Sequence, residues 1–248
     1  MVGGGTFGHM VGPSDDTGSC LSRPNAGPMT TSANPTAPKP RRRLTPDERE
    51  EQIVQKAITV FSQEGFTAST RNLAKALGVT QPLLYRYFAT KENLIDRVYD
   101  EVFFRPWNDA WEEWLSDRNS PLGERLKRYF KDYAAFVTRS NLVRLHMFAG
   151  LMKNTLIHRY IDTLRETHFK VIARELRHEF GIADPASPAE EEDELELVWA
   201  THSSFFYMGV RQWIYEFAPT QDINRTIDIL VDGFLMGAPA ALKARRPG

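Results

Sequence analysis

Cysteine is almost absent from this chain of 248 residues: Cys20 stands alone. One cysteine cannot form an internal disulfide, and no Cys/His cluster has the spacing of a zinc site. Long apolar runs are missing as well. None approaches the ~20 residues that cross a bilayer, and the N-terminus lacks the basic-then-apolar order of a secretory signal. The expectation is a cytoplasmic protein with no membrane part. Catalytic signatures are equally scarce, with no Gly-rich phosphate loop, no nucleophile elbow and no histidine pair flanking a carboxylate on one helix face. His158, His168 and His178 recur every ten residues, which turns each about 80° from the last on a helix. No catalytic residue, no metal and no cofactor is expected, and the chain does not read as an enzyme.

What is present is ordinary globular material. The chain is 42% hydrophobic and 25% charged, a balance that supports a real core without staples. Residues 1–40 differ from the rest: they are rich in Gly, Pro, Ser, Thr and Asn, with apolar residues scattered and never more than two in a row. Such a leader cannot bury enough surface to offset its ordering entropy and is expected to be disordered. The net charge of −1 argues against indiscriminate coating of nucleic acid, but its distribution is uneven. Residues 41–99 carry ten Lys/Arg against seven Asp/Glu, so the excess of positive charge falls in the first folded segment.

Helix signals begin there and continue to the end, and β-branched alternation is absent. Thr45-Pro46-Asp47-Glu48 reads as an N-cap, a first-turn proline and the far half of a capping box. Ile53, Ala57, Val60 and Phe61 then share a face, and Gly65 is placed to end the helix in the left-handed conformation. Thr90 opens a helix to about Phe104, stopped by Pro106, and Ser120-Pro121 opens another to about Thr138. A long striped helix is expected from about Asn154 to Phe180, ended by Gly181. Ser187-Pro188-Ala189-Glu190 reads as a second capping box, opening a helix to about Phe217, and a last helix spans about Asp222 to Met236. The fold class is all-α.

The window Thr70–Ala89 has the spacing of a helix-turn-helix. Leu73 and Leu77 turn one face of a short helix inward, and Ala74 is small where a second helix must cross. Gly78 permits the positive φ of a tight turn, Val79 plugs the corner and Leu84 anchors the second helix. Thr80 caps that second helix, and Gln81 and Pro82 fill its first turn. These positions enter a major groove in such motifs, where glutamine can pair bidentately with adenine and threonine can touch a thymine methyl. Arg41, Arg42 and Arg43 stand before the first helix, either as solvated charge or as an arm reaching an adjacent minor groove.

The run Gly65-Phe66, Leu73-Ala74, Leu77-Gly78-Val79-Thr80, Leu84-Tyr85-Arg86-Tyr87-Phe88 and Thr90-Lys91-Glu92-Asn93-Leu94 resembles the DNA-binding domain of the TetR (tetracycline-repressor-like) family over about residues 45–99. The stretch from Gly65 to Leu73 is one residue shorter than is usual there, and Tyr87 stands where histidine is common. The resemblance implies an N-terminal three-helix DNA-binding domain (41–99), followed by a larger helical domain (100–248) that binds a small-molecule effector and forms a homodimer. It implies a repressor that reads double-stranded DNA at a palindromic operator, with Thr70 among the contacts, Tyr85 and Tyr87 on phosphates and Lys91 clamping the backbone. A cation at a helix N-terminus, where N–H groups are already unpaired, suits that last role. The competing reading is a helical ligand-binding or adaptor module without DNA binding, which would have no need of Gln81, Tyr85 and Lys91.

Beyond residue 100 the signals are weaker. The helix around 195–217 is apolar over a wide arc, from Leu195, Val198 and Trp199 to Phe205, Trp213 and Phe217. The last helix shows Ile223, Ile227, Leu230, Val231 and Phe234. The two can pair with symmetry mates or pack within the subunit. Trp107 and Trp111, with Phe103 and Trp114, form an aromatic stripe that is either core or pocket. His168 lies on the apolar stripe of Ile157, Ile161, Leu164 and Val171, as a hydrogen-bonded core group or a ligand contact. Tyr129, Tyr133 and His146 are further polar handles for an apolar or amphipathic effector.

Overall fold

Thr45 and Glu48 close the expected capping box: the Glu48 N–H donates to Thr45 Oγ1 (3.2 Å) and the Thr45 N–H to Glu48 Oε2 (2.8 Å). The helix they open, α1 (Pro46–Glu64), belongs to a computed structural model that describes residues 44–152, 155–217 and 222–245. The leader 1–40 and Arg41, Arg42 and Arg43 lie outside the described residues. Helix α1 buries Ile53, Val54, Ala57, Ile58 and Phe61. That arc is broad enough to pack against α2 (Thr70–Leu77) and α4 (Lys91–Tyr99), and also against α7 (Ser140–Leu151).

Gly65 ends α1, but not in the left-handed conformation expected of it. Its φ of 71° is paired with a ψ of −167°, a region open essentially to glycine alone. A Cβ there would lie 3.0 Å from the Phe148 ring of α7, so backbone conformation and close approach select glycine together. The chain leaves Gly65 in a 3₁₀ turn that buries Phe66, whose ring meets Phe61 edge-on at 5.3 Å. Helix α3 (Gln81–Tyr87) follows α2 across the turn at Gly78, whose φ of 69° and ψ of 34° are left-handed as the spacing requires.

Helix α4 does not stop at Tyr99. It continues into a π turn, Asp100–Phe104, in which the Arg105 N–H reaches back five residues to the Asp100 carbonyl (2.9 Å). The remaining elements are α5 (Ala110–Ser116), α6 (Leu122–Val137), α8 (Thr155–Leu164), a second π turn (Arg165–Phe169), α9 (Lys170–Phe180), α10 (Pro188–Trp213) and α11 (Ile223–Arg245). Among the described residues, every regular element is helical. None is long and apolar enough to cross a membrane.

The expected long helix up to Phe180 is therefore α8 and α9 joined through a π turn, with Gly181 left-handed at its end. Three other boundaries move. Ser187 caps α10, but the Glu190 carboxylate takes the N–H of Ala186, one residue before the cap, so the box is displaced. Helix α10 ends at Trp213, four residues before Phe217, where the indole N–H donates to the Thr138 carbonyl (2.6 Å) and Glu216 turns to a φ of 59°. Helix α11 outruns Met236 to Arg245 with Pro239 inside it. Burial of Ala238, Pro239 and Leu242 against the body compensates the hydrogen bond that proline removes.

Two polar clusters sit inside this body. Glu175 of α9, with its side chain 2% exposed, receives Arg118 Nε (2.9 Å), Arg125 Nη1 (3.0 Å) and Arg174 Nε (3.2 Å). Burial pushes its carboxyl up, but the hydrogen bonds from Arg118, Arg125 and Arg174 outweigh this and hold it down at about 2. The second cluster is Tyr129 of α6, whose hydroxyl meets His168 Nδ1 at 3.0 Å and His202 Nε2 at 2.8 Å. The hydroxyl has a single proton to give, so at least one of the two histidines donates to it. Burial lowers the His168 pKa to about 3; burial first, then the charge on His168, lowers that of His202 as well.

These histidines predict acid lability with a definite sign. Each is neutral in the folded chain but takes up a proton near pH 6.5 when unfolded, so stability should fall as pH drops below 6.5. The expected loss by pH 5 is on the order of 2 kcal/mol per histidine. The paired carboxylates, whose folded pKa is depressed, contribute to acid loss only at lower pH. Urea unfolding at pH 7.0, 6.0 and 5.0 checks this; midpoints that do not move over that range contradict it.

Candidate nucleic-acid interface

Short helices hold the candidate reader in place by their ends. Ser69, Thr80 and Thr90 cap α2, α3 and α4, each side-chain oxygen accepting the N–H three residues on. Ser69 was not among the sequence signals, because the threonine after it also fits a cap. At the far end of α2, Lys56 of α1 donates from Nζ to the Leu77 carbonyl (2.9 Å), a cation at the negative end of a helix dipole. Leu73, Ala74, Leu77, Leu84 and Phe88 are all buried beneath, and Val79 packs on them from the corner.

With those residues turned inward, Thr80, Gln81, Pro82, Tyr85 and Arg86 face solvent. Thr70, half-buried in the first turn of α2, reaches across to two of them. Its Oγ1 accepts from Gln81 Nε2 (3.3 Å) and from the Tyr85 hydroxyl (3.3 Å). Gln81 keeps its carbonyl oxygen and one N–H, the complementary pair a base edge requires. Tyr85 is 44% exposed, so much of its ring stands in solvent. Tyr87 differs: it is half-buried and packs on the core. The Lys91 ammonium donates to the Phe66 carbonyl from the first turn of α4, which leaves it two further N–H donors. Arg71 and Arg86 are exposed beside this surface. Sequence reading passed over both, since an arginine between apolar helix positions carries no signal until its face is known.

The other predicted residues separate into two groups. Tyr133 and His146 line a small cavity of about 70 Å³ between α6, α7, α8 and α10, together with Tyr160, Trp199, His202 and Phe206, among others. Trp107, Trp111 and His168 stand behind its wall. Trp111 is 1% exposed and donates from its indole to Asp132 (2.7 Å), and Trp107 stacks on His168 at 4.8 Å. His168 is thus a hydrogen-bonded core residue, the first of the two readings its position allowed. Tyr160 and His202 were missed, because α8 and α10 carry many apolar residues and pattern alone does not separate those around a cavity.

Comparison with known proteins places this geometry. Residues 53–98 match the family described as bacterial regulatory proteins, tetR family. The HTH-type transcriptional regulator LuxR of Vibrio harveyi is 33% identical over 67 residues, covering 27% of this chain and 33% of that protein. The chain thus matches only about a third of that relative's length. A TetR-like transcriptional regulator from Rhodococcus sp. RHA1 superposes with a TM-score of 0.58 at 21% identity, over 79% of this chain and 100% of its own. A TetR family transcriptional regulator from Pseudomonas syringae pv. tomato str. DC3000 gives 0.55 at 22% identity, over 78% and 98%. The helix order α1 to α4 and the turn at Gly78 coincide with the matched span: the similarity to the tetR family of bacterial regulatory proteins rests on residues 53–98, and the likeness to the solved structures extends to the fold of the rest.

Proposed function

We propose that this chain is a DNA-binding transcriptional regulator, a repressor that binds a palindromic operator as a homodimer and responds to a small molecule. The observation that carries the reading is the start of α3, where Gln81 is solvent-facing yet held by Thr70 with a donor and an acceptor free. A side chain fixed and unsatisfied at a helix N-terminus is prepared for a base edge. Tyr85, Lys91, Arg71 and Arg86 surround it as phosphate contacts, and these position rather than specify.

Two-fold symmetry would come from the C-terminal helices. Helix α11 leaves Ile229 60% and Met236 81% exposed. Gly233 and Gly237 lie on the same face, with open space where a Cβ would be. On α10 the large hydrophobic side chain left exposed is Tyr207. A face of large apolar and glycine residues admits a second helix at close range. Phe234 is half-buried and packs in part on the core of its own subunit.

Four substitutions separate the roles in operator titrations at two salt concentrations. Lys91→Ala should weaken binding to all duplexes alike and lower the salt slope by roughly one. Gln81→Ala should cost about 1–3 kcal/mol at one base position of each half-site and leave the slope unchanged. Thr70→Val should relax preference at that same position by freeing Gln81, and Thr70→Ser should restore it. If all of these variants match the parent on every duplex, this surface does not read DNA.

The dimer is tested apart from DNA. Met236→Glu should convert the protein to a folded monomer in sedimentation at micromolar concentration, with unfolding temperature as the control. A parent chain that already sediments as a monomer rules the dimer out.

A further inference from the structure

The cavity among α6, α7, α8 and α10 has a lining of one chemical character. Ten side chains surround it, and no lysine, arginine, aspartate or glutamate is among them. Its walls are aromatic faces and edges: His146 lies 4.7 Å from Phe206 and meets Tyr160 nearly perpendicular at 5.7 Å, and Tyr133 lies 4.0 Å from His202. Burial lowers the pKa of His146 to about 4, and His202 is lowered by burial and then by His168. Both histidines are therefore neutral at physiological pH, and the cavity offers neither sign of charge to a ligand.

Its polar capacity is small and partly unspent. His146 Nδ1 is buried with no hydrogen-bond partner among the described residues, a state that costs free energy until something fills it. The Tyr133 and Tyr160 hydroxyls face each other at 3.4 Å, near the limit of a useful hydrogen bond, so little is lost if a guest takes one of them. Ser203 adds a hydroxyl to the lining. His202, by contrast, is tied through Nε2 to Tyr129, so its ring presents a fixed face.

At about 70 Å³ the cavity holds roughly two waters, so any organic guest must enlarge it. Leu164 and Phe169 are both in the lining, and the π turn Arg165–Phe169 lies between them. Such turns interrupt the regular hydrogen-bond ladder and recur at functional sites. Two of the lining rings also touch the other π turn, whose Phe103 lies 5.1 Å from Tyr160 and 5.9 Å from His146. Phe103 continues the helix that begins at Lys91, so a guest that moves these rings acts on the element leading to the DNA reader.

We propose that this cavity is the effector site and that it selects an uncharged, planar aromatic molecule carrying one hydrogen-bonding group, of the size of a phenol or an indole, over aromatic acids and amines. The assignment rests on the reading of this chain as a ligand-regulated DNA-binding protein, from which its test can be separated. The full chain is titrated calorimetrically at pH 7.5 with phenol, indole, benzoate and benzylamine. Phenol or indole should bind saturably at one site per chain, at least ten-fold more tightly than benzoate or benzylamine. His146→Leu should weaken that binding about ten-fold, and Ser203→Trp should abolish it by filling the space; circular dichroism confirms that each variant is folded.

Tighter binding of benzoate or benzylamine overturns the ligand class. Absence of binding by any of the four, or binding that both folded variants retain, overturns the site. Operator titration without any probe stands apart from these results. DNA binding with no probe binding removes this proposal alone, whereas probe binding that obeys the variants in a chain that ignores DNA preserves the ligand class and removes the DNA reading.

Discussion

Everything in this molecule hangs on the packing of α1 on two sides. Ile53, Val54, Ala57, Ile58 and Phe61 cover more arc than one partner needs; α2 and α4 take one part and α7 takes another. The reader is thereby built on a helix that is also a wall of the larger body. The entropy of ordering three short helices, none long enough to persist alone in water, is met by contacts that also join the reader to residues beyond 100. Gly65 is the joint where these demands meet, since the chain must turn sharply there beneath the ring of Phe148.

Helix α4 is the second shared element. It begins with an ammonium held against the Phe66 carbonyl and ends in a π turn whose Phe103 lies in the aromatic interior. Arg159 braces that turn from outside, pairing with Asp100 and stacking over Phe104 at 4.0 Å. The interior it enters is rich in aromatic rings and carries three neutral histidines, and the hydrogen bonds of two of them, His168 and His202, to Tyr129 fix which rings can move and which cannot. Polar groups inside an apolar body are costly when unpaired. His168 and His202 are paired, and His146 is the exception.

Most of the reader was legible in the sequence because its constraints are local. Thr45, Thr80 and Thr90 announce helix starts by chemistry that acts within three residues, and Gly78 announces a turn by a conformation that other residues resist. The same locality explains what was missed. A π turn leaves no local mark, since the stripe of Ile157, Ile161, Leu164, His168 and Val171 fits a regular helix almost as well. Glycine at position 65 signalled a helix end correctly, but its ψ is set by what comes after it. The cavity was half-visible: Tyr133 and His146 stand out as polar groups among apolar ones, whereas Tyr160 and His202 become significant only once α8 and α10 are brought together. Trp111 takes the core reading of the two its stripe allowed, a large buried ring whose indole donates to Asp132.

The π turn at Arg165–Phe169 also determines what kind of genetic change this chain can absorb. A π turn carries one residue more than the helix around it, so removing a single residue there would restore an unbroken helix at no cost to its hydrogen-bond ladder. The wide turn takes up that residue locally, so the helices on either side would keep their phase, and a deletion that spares His168 and Phe169 would leave His168 on Tyr129 and the stripe of α9 in line with that of α8. The regular part of α9 has no such slack: loss of one residue there would swing every later position by about 100°. Arg165–Phe169 is thus the place along α8 and α9 where the chain can lose a residue and keep its interior, at the expense of the irregular turn beside the cavity.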